Sequence, residues 1–146
     1  MKKIYKSESF SNVDMESYIN GLVTQLKNAY DKNKIEFIIN TDKISLSIDI
    51  AIPCALILNE FIINAIKHAF SKGTGFIEVN SELLNKKTLR LKVRDNGEKL
   101  SEGFDIKKIK TFGLHIVDLL VKQIEGKWGF YEENSVKTFW VELGIK

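Results

Sequence analysis

The sequence predicts an α+β fold, a two-layer α/β sandwich in which a mixed sheet is covered on one face by three helices. Three observations lead there. Apolar residues recur at helical spacing in three separate segments, strand-length apolar runs come in pairs between them, and the chain order is helix, two strands, helix, two strands, polar segment, helix, two strands. Phosphate-loop and dinucleotide-binding folds need alternating βαβ units, and neither GxxxxGK[ST] nor GxGxxG occurs.

Residues 13–30 place Val13, Met15, Ile19, Leu22, Val23, Leu26 and Tyr30 at helical spacing, with Asn12 or Asp14 as the start signal. Residues 35–40 and 44–48 follow as short strands separated by Thr41-Asp42-Lys43, and read as a hairpin or as two neighbouring edge strands. Pro53, the only proline, marks the start of the second helix, because its missing N–H costs least in a first turn. That helix runs to about Phe70. After Gly73-Thr74-Gly75 come strands over 76–84 and 88–94; in the second, Leu89, Leu91 and Val93 alternate with Arg90, Lys92 and Arg94, so one face is core and the other wet. Residues 95–112 are polar, Gly-containing, Lys-rich and longer than an ordinary connection, which suits a lid. A third helix over 113–124 presents Ile116, Val117, Leu120, Val121 and Ile124 on one side, with Gly126 placed to end it. A hairpin over 127–131 and 136–143 closes the chain.

Composition bounds the function. With 146 residues, 44% hydrophobic and 28% charged, the expectation is one globular domain over 1–146. A formal charge of +3, from 22 basic and 19 acidic residues, is too mild to imply nucleic acid. The single cysteine, Cys54, excludes an internal disulfide framework and suits a reducing, cytoplasmic compartment. No apolar run approaches the roughly 18 residues of a membrane span, and no apolar signal region follows the charged N-terminus. The expectation is a domain without membrane contact, compatible with a larger, membrane-anchored parent protein.

Three segments carry candidate chemistry. In "LNEFIINAIKHAF", residues 58–70, Leu58, Phe61, Ile62, Ala65 and Ala69 share one side of a helix, while Glu60, Asn64, Lys67 and His68 fall within about 100° of arc. Most polar stripes are solvated faces. Here Leu56 and Ile63 border the stripe on one edge and Phe61 on the other, so it reads as a polar notch facing a cleft. A carboxylate and an amide one turn apart can hold a hydrated Mg²⁺ or orient a nucleophile, and Lys67 with His68 can donate to phosphate oxygens. In "VRDNGEKL", residues 93–100, Asp95-Asn96-Gly97 is a turn signal; equally, a buried Asp at a strand end can accept the exocyclic amine of a purine, with glycine admitting the ring. In "TFGLHIV", residues 111–117, Gly113 opens a helix whose free N–H groups could bind phosphate, or simply caps it.

Taken together and in this order, "NEFIINAIKHAF", "VRDNG" and "FGLHIVDLLVKQIEG" resemble the N box, first glycine box and second glycine box of the sensor histidine kinase ATP-binding domain, one of the group shared with DNA gyrase, MutL-type mismatch-repair ATPases and heat-shock chaperones. "VDMESYINGLVTQLKNAY" and "IDIAIPCALILNE" resemble the parts before the N box in one bacterial and archaeal kinase subfamily, so the likeness covers roughly residues 12–144 by pattern. The resemblance implies a Bergerat-type fold that binds ATP and Mg²⁺. It implies that Asn64 holds the Mg²⁺ on the triphosphate, that Glu60 is the acid or base near the γ-phosphate, and that Lys67 and His68 touch phosphate or the lid. By the same likeness Asp95 bonds the adenine amine, Gly97 makes space beside the ring, Thr138 completes the adenine edge, and Gly113, Leu114 and His115 meet the phosphates. The implied partners are a histidine-containing dimerisation domain, outside this chain, and the receiver domain of a response regulator. A related serine kinase or ATPase without a histidine domain, and a degenerate noncatalytic signalling module, are the alternatives.

Two positions depart from the family pattern. Lys99 stands where the first glycine box usually has its second glycine, and the second glycine box is reduced to Phe112 before Gly113. A β-carbon at a normally flexible hinge restricts the backbone. Lys99→Gly is therefore expected to leave ATP affinity equal or better in a calorimetric titration; a salt-sensitive loss confined to ATP over ADP would make Lys99 a phosphate contact instead.

Overall fold

The computed structural model describes residues 12–30, 34–69, 74–97 and 112–145. Asp14 ends a short strand, β1 (Asn12–Asp14), and caps the first helix, α1 (Met15–Tyr30). Its carboxylate accepts the Glu16 N–H and the Ser17 hydroxyl, both at 3.1 Å, satisfying a donor that the helix start leaves open. Met15, Ile19, Leu22, Val23 and Leu26 then turn a single face of α1 into the core, at the spacing read from the sequence.

Eight further elements follow among the described residues: β2 (Lys34–Thr41), β3 (Ser45–Ser47), α2 (Ile48–Ala69), β4 (Thr74–Asn85), β5 (Thr88–Asp95), α3 (Phe112–Gln123), β6 (Lys127–Glu133) and β7 (Val136–Gly144). Five strands form one sheet in the order β2-β4-β5-β7-β6. The β2–β4 pair is parallel and the others antiparallel, so the sheet is mixed as expected. Ile77, Val79, Leu89, Leu91, Val93, Phe139, Val141 and Leu143 supply its buried residues. On β5 these alternate with Arg90, Lys92 and Arg94, which pair with Glu82, Glu142 and Glu78 on neighbouring strands.

Three boundaries differ from the sequence reading. The strands over 35–40 and 44–48 form no hairpin: β2 lies at the sheet edge beside β4, while β3 pairs with β1 through Val13↔Leu46. Asp42 explains the split, because its N–H donates to the Ser81 carbonyl and its carboxylate accepts the Leu83 N–H, each at 2.9 Å, tying the end of β2 to β4. The second helix begins at Ile48, five residues before Pro53, which lies inside it and removes the bond to the Asp49 carbonyl. This 22-residue helix is long and apolar enough over Ile48–Lys67 to cross a membrane by length and composition. Here it is the central helix of the helical layer, with Cys54, Ile57, Leu58, Phe61 and Ile62 fully buried.

The third difference concerns the end of α3. The Gly126 N–H bonds to the Val121 carbonyl at 2.9 Å and the Glu125 N–H to the Lys122 carbonyl at 3.1 Å, the two bonds of a Schellman motif. The left-handed residue of that motif is Glu125, at φ 56°, one place before the expected glycine. Gly126 is needed for another reason, since a β-carbon there would lie 2.6 Å from the Glu142 carbonyl oxygen on β7. Gly126→Ala is accordingly expected to destabilise by about 1–3 kcal/mol through overpacking, while Glu125→Gly is neutral or stabilising. Urea unfolding of the two variants checks this, and the opposite order would refute it.

Candidate functional site

The stripe on α2 is graded in burial, and Leu56, expected as one of its apolar borders, is exposed. Phe61 is fully buried, Glu60 and Asn64 are half-buried, and Lys67 is exposed, so the stripe climbs from the core to the surface over two turns. Among the described residues, Asn64 Nδ2 is buried and meets no hydrogen-bond partner. An unmet buried amide is costly and wants a partner from outside the chain. The His68 side chain lies outside the described residues.

The start of α3 closes against this stripe. A β-carbon on Gly113 would lie 2.2 Å from Glu60 Oε1, so a larger residue there would push the flexible carboxylate aside from the first turn of α3. Glu60 and Gly113, far apart in sequence, are thus neighbours in the fold. The Leu114 side chain is buried in the core and His115 is exposed. What this helix start can offer an anion is therefore its positive dipole end and the backbone N–H groups of its first turn, with the His115 side chain exposed beside them.

Asp95 ends β5 on the helix-covered side of the sheet. Asn96 fixes the turn behind it by accepting the Phe76 N–H at 2.8 Å, and the Gly97 N–H returns to Asp95 Oδ1 at 2.9 Å. The same oxygen takes the Lys137 ammonium at 3.1 Å, with the two side chains only 2% and 5% exposed. Burial pushes the Asp95 carboxyl above its ordinary value; the Gly97 N–H and the Lys137 ammonium pull it back, and Glu132 adds a further push upward.

Lys137 is the residue that the sequence reading missed. In β7, Phe139, Val141 and Leu143 alternate inward, and Lys137 continues that parity, opposite Asp95 in register. The signal was present as a lysine at an inward position. Thr138, the residue assigned from the resemblance, is buried but pairs in register with Arg94 and Tyr131, on the opposite face of the sheet from Asp95. Lys99 and most of the proposed lid, residues 98–111, lie outside the described residues.

Residues 49–146 match the model of the histidine kinase-, DNA gyrase B- and HSP90-like ATPase family. Blue-light-activated histidine kinase 2 of Erythrobacter litoralis is 23% identical over 111 residues, which cover 75% of this chain and 32% of that protein. Sensor histidine kinase PdtaS of Mycolicibacterium smegmatis is 32% identical over 93 residues, 62% of this chain and 18% of that protein. The chain thus spans under a third of the length of either relative. The structure of the blue-light activated histidine kinase of Erythrobacter litoralis EL346 is similar to this fold with a TM-score of 0.85 at 19% identity, over 91% of this chain and 42% of that chain.

The buried pair gives a stability prediction with a defined sign. Because the folded-state value of Asp95 is raised, its contribution is fully present below the unfolded carboxyl value, about 3.9, and is lost as pH rises through the folded value. Lys137→Met removes an effect that opposes this rise and strands the carboxylate. It is expected to cost about 3–5 kcal/mol near neutral pH. The cost shrinks as the pH is lowered and Asp95 takes up its proton. Urea unfolding at neutral pH and at about pH 4.5 checks the trend, and a loss independent of pH would contradict it.

Proposed function

We propose, since the chain belongs to the histidine kinase-, DNA gyrase B- and HSP90-like ATPase family, that it binds ATP with Mg²⁺ between α2, the end of β5 and the start of α3, as the catalytic domain of a two-component sensor histidine kinase. The observation that carries the reading is Asn64: a buried amide nitrogen without a partner among the described residues, one turn beyond the Glu60 carboxylate that abuts Gly113. An amide whose nitrogen and oxygen are distinguished only by their bonds can turn its oxygen to a cation and its N–H groups to a phosphate or to cation-bound water. Asn64 therefore fits the Mg²⁺ that the family implies. When bound, that ion would neutralise charge on the phosphate oxygens.

The remaining roles belong to the chain itself. Asp95 accepts the amine of adenine, and Gly97 leaves room beside the ring. The N–H groups at Gly113, Leu114 and His115 bind phosphate oxygens at the positive end of α3. Lys67 and His68 stand further along α2, toward the phosphates or the lid. In the transfer, a ring nitrogen of the acceptor histidine forms a bond to the γ-phosphorus as the bond to the bridging oxygen breaks and ADP departs. Glu60 takes the proton that the ring gives up. Such transfer needs positioning and charge neutralisation more than covalent chemistry by the protein, which suits a site made of these groups. The acceptor histidine belongs to a dimerisation domain, the receiver domain of a response regulator takes the phosphoryl group from it, and the reaction is cytoplasmic.

Asn64→Ala is expected to fold with a melting temperature no lower than that of the unaltered protein, while its ATP affinity loses dependence on Mg²⁺. Calorimetric titration with and without Mg²⁺ checks this. A folded variant that keeps the Mg²⁺ dependence of the unaltered protein would remove Asn64 from the metal site.

A further inference from the structure

Asp95 alone would be an incomplete reader of adenine. The exocyclic amine of that base donates, but the ring nitrogen beside it, N1, carries a lone pair on the same edge. A lone pair brought near a buried carboxylate is repelled unless a donor stands between them. The structure places a donor there: the Lys137 ammonium lies 3.1 Å from Asp95 Oδ1, opposite it in the β5–β7 register and on the same face of the sheet.

We infer that Lys137 is a base-reading residue, donating to N1 of adenine while Asp95 accepts the neighbouring amine. The inference rests on the ATP-binding reading above and deepens it. An ammonium has three N–H donors and can serve the carboxylate and a second acceptor together. The Gly97 N–H and Lys137 both reach Oδ1, which occupies two of the roughly four acceptor directions of the carboxylate and leaves capacity for an amine. The pair thus presents an acceptor beside a donor, the complement of the adenine edge. It also moves the completing contact from Thr138, which pairs with Arg94 and Tyr131 on the other face, to its neighbour in sequence. A pair with a structural role only would be indifferent to the atom at position 1 of the base.

The test compares Mg²⁺-ATP with the triphosphate of 1-deazaadenosine, in which N1 is replaced by C–H, by calorimetric titration of the unaltered protein and of Lys137→Met. The unaltered protein is expected to bind the analogue about 10- to 100-fold more weakly, the loss of one charge-assisted hydrogen bond. Lys137→Met is expected to bind the two alike, within about threefold. Should that variant fail to fold, Lys137→Gln serves in its place: it keeps a donor for Asp95 but is neutral and one atom shorter, and should likewise lose the discrimination. Equal binding of ATP and the analogue by the unaltered protein would overturn the inference, as would discrimination that survives in the folded variants. Absence of ATP binding by the unaltered protein is a separate result, which defeats the ATP-binding reading and this inference with it.

Discussion

Phe61 sets the geometry on which the cleft depends. Its side chain has no exposed surface, and its ring centroid lies 5.3 Å from Phe139 on β7 and 6.0 Å from Trp128 on β6. Such a ring, held by aromatic neighbours in tilted contact, fixes the rotation of α2 about its own axis. With Phe61 turned into the sheet, Glu60 must emerge about 100° to one side, and Asn64 follows it one turn later. The same cluster positions α3, because the Trp128 indole N–H donates to Asp118 at 3.1 Å. That bond, with Lys122 one turn along α3, holds the Asp118 carboxyl below its ordinary value. α2 and α3 are therefore both referred to one aromatic cluster.

Polar groups in this molecule divide according to what they meet. The ionic contacts on the outer face of the sheet link residues that are partly open to solvent, such as Arg90 with Glu142 and Lys92 with Glu82, and pairs of that kind add little to stability. The Asp95–Lys137 pair differs because both partners have been taken out of water. A buried pair of this kind is often no more stabilising than an apolar one of the same shape, whereas removing one partner strands a buried charge.

Much of the fold was legible in the sequence because burial leaves a period. The inward residues of α1 and the alternation along β5 and β7 could be read directly, and two of the three segments with candidate chemistry meet where Gly113 abuts Glu60. What could not be read depends on contacts between distant residues. The departure of β3 from β2 is decided by Asp42 bonding to β4, and no local pattern records it. The left-handed position at Glu125 was missed because glycine was sought as the sole tenant of such a place, whereas Gly126 answers to the carbonyl of Glu142 on another strand. Lys137 was passed over because lysine is read by default as a solvated residue, against its parity in β7. Thr138 was preferred on resemblance, and its register shows how a shift of one residue exchanges the faces of a strand.

The pairing of β5 with β7 has a consequence for the segment between Gly97 and Phe112. Its two ends are held independently of its own contacts, one by the turn behind Asp95 and the other by α3 packed on Glu60 and the core. Closure of this stretch is thus imposed by the sheet and helix. The entropy of such a closure grows only with the logarithm of length, and doubling the number of residues would cost about 0.6 kcal/mol. That is no more than a single net hydrogen bond. Lengthening the chain between these two anchors therefore costs the fold little, and insertions between Gly97 and Phe112 are expected to leave β5 and α3 in place.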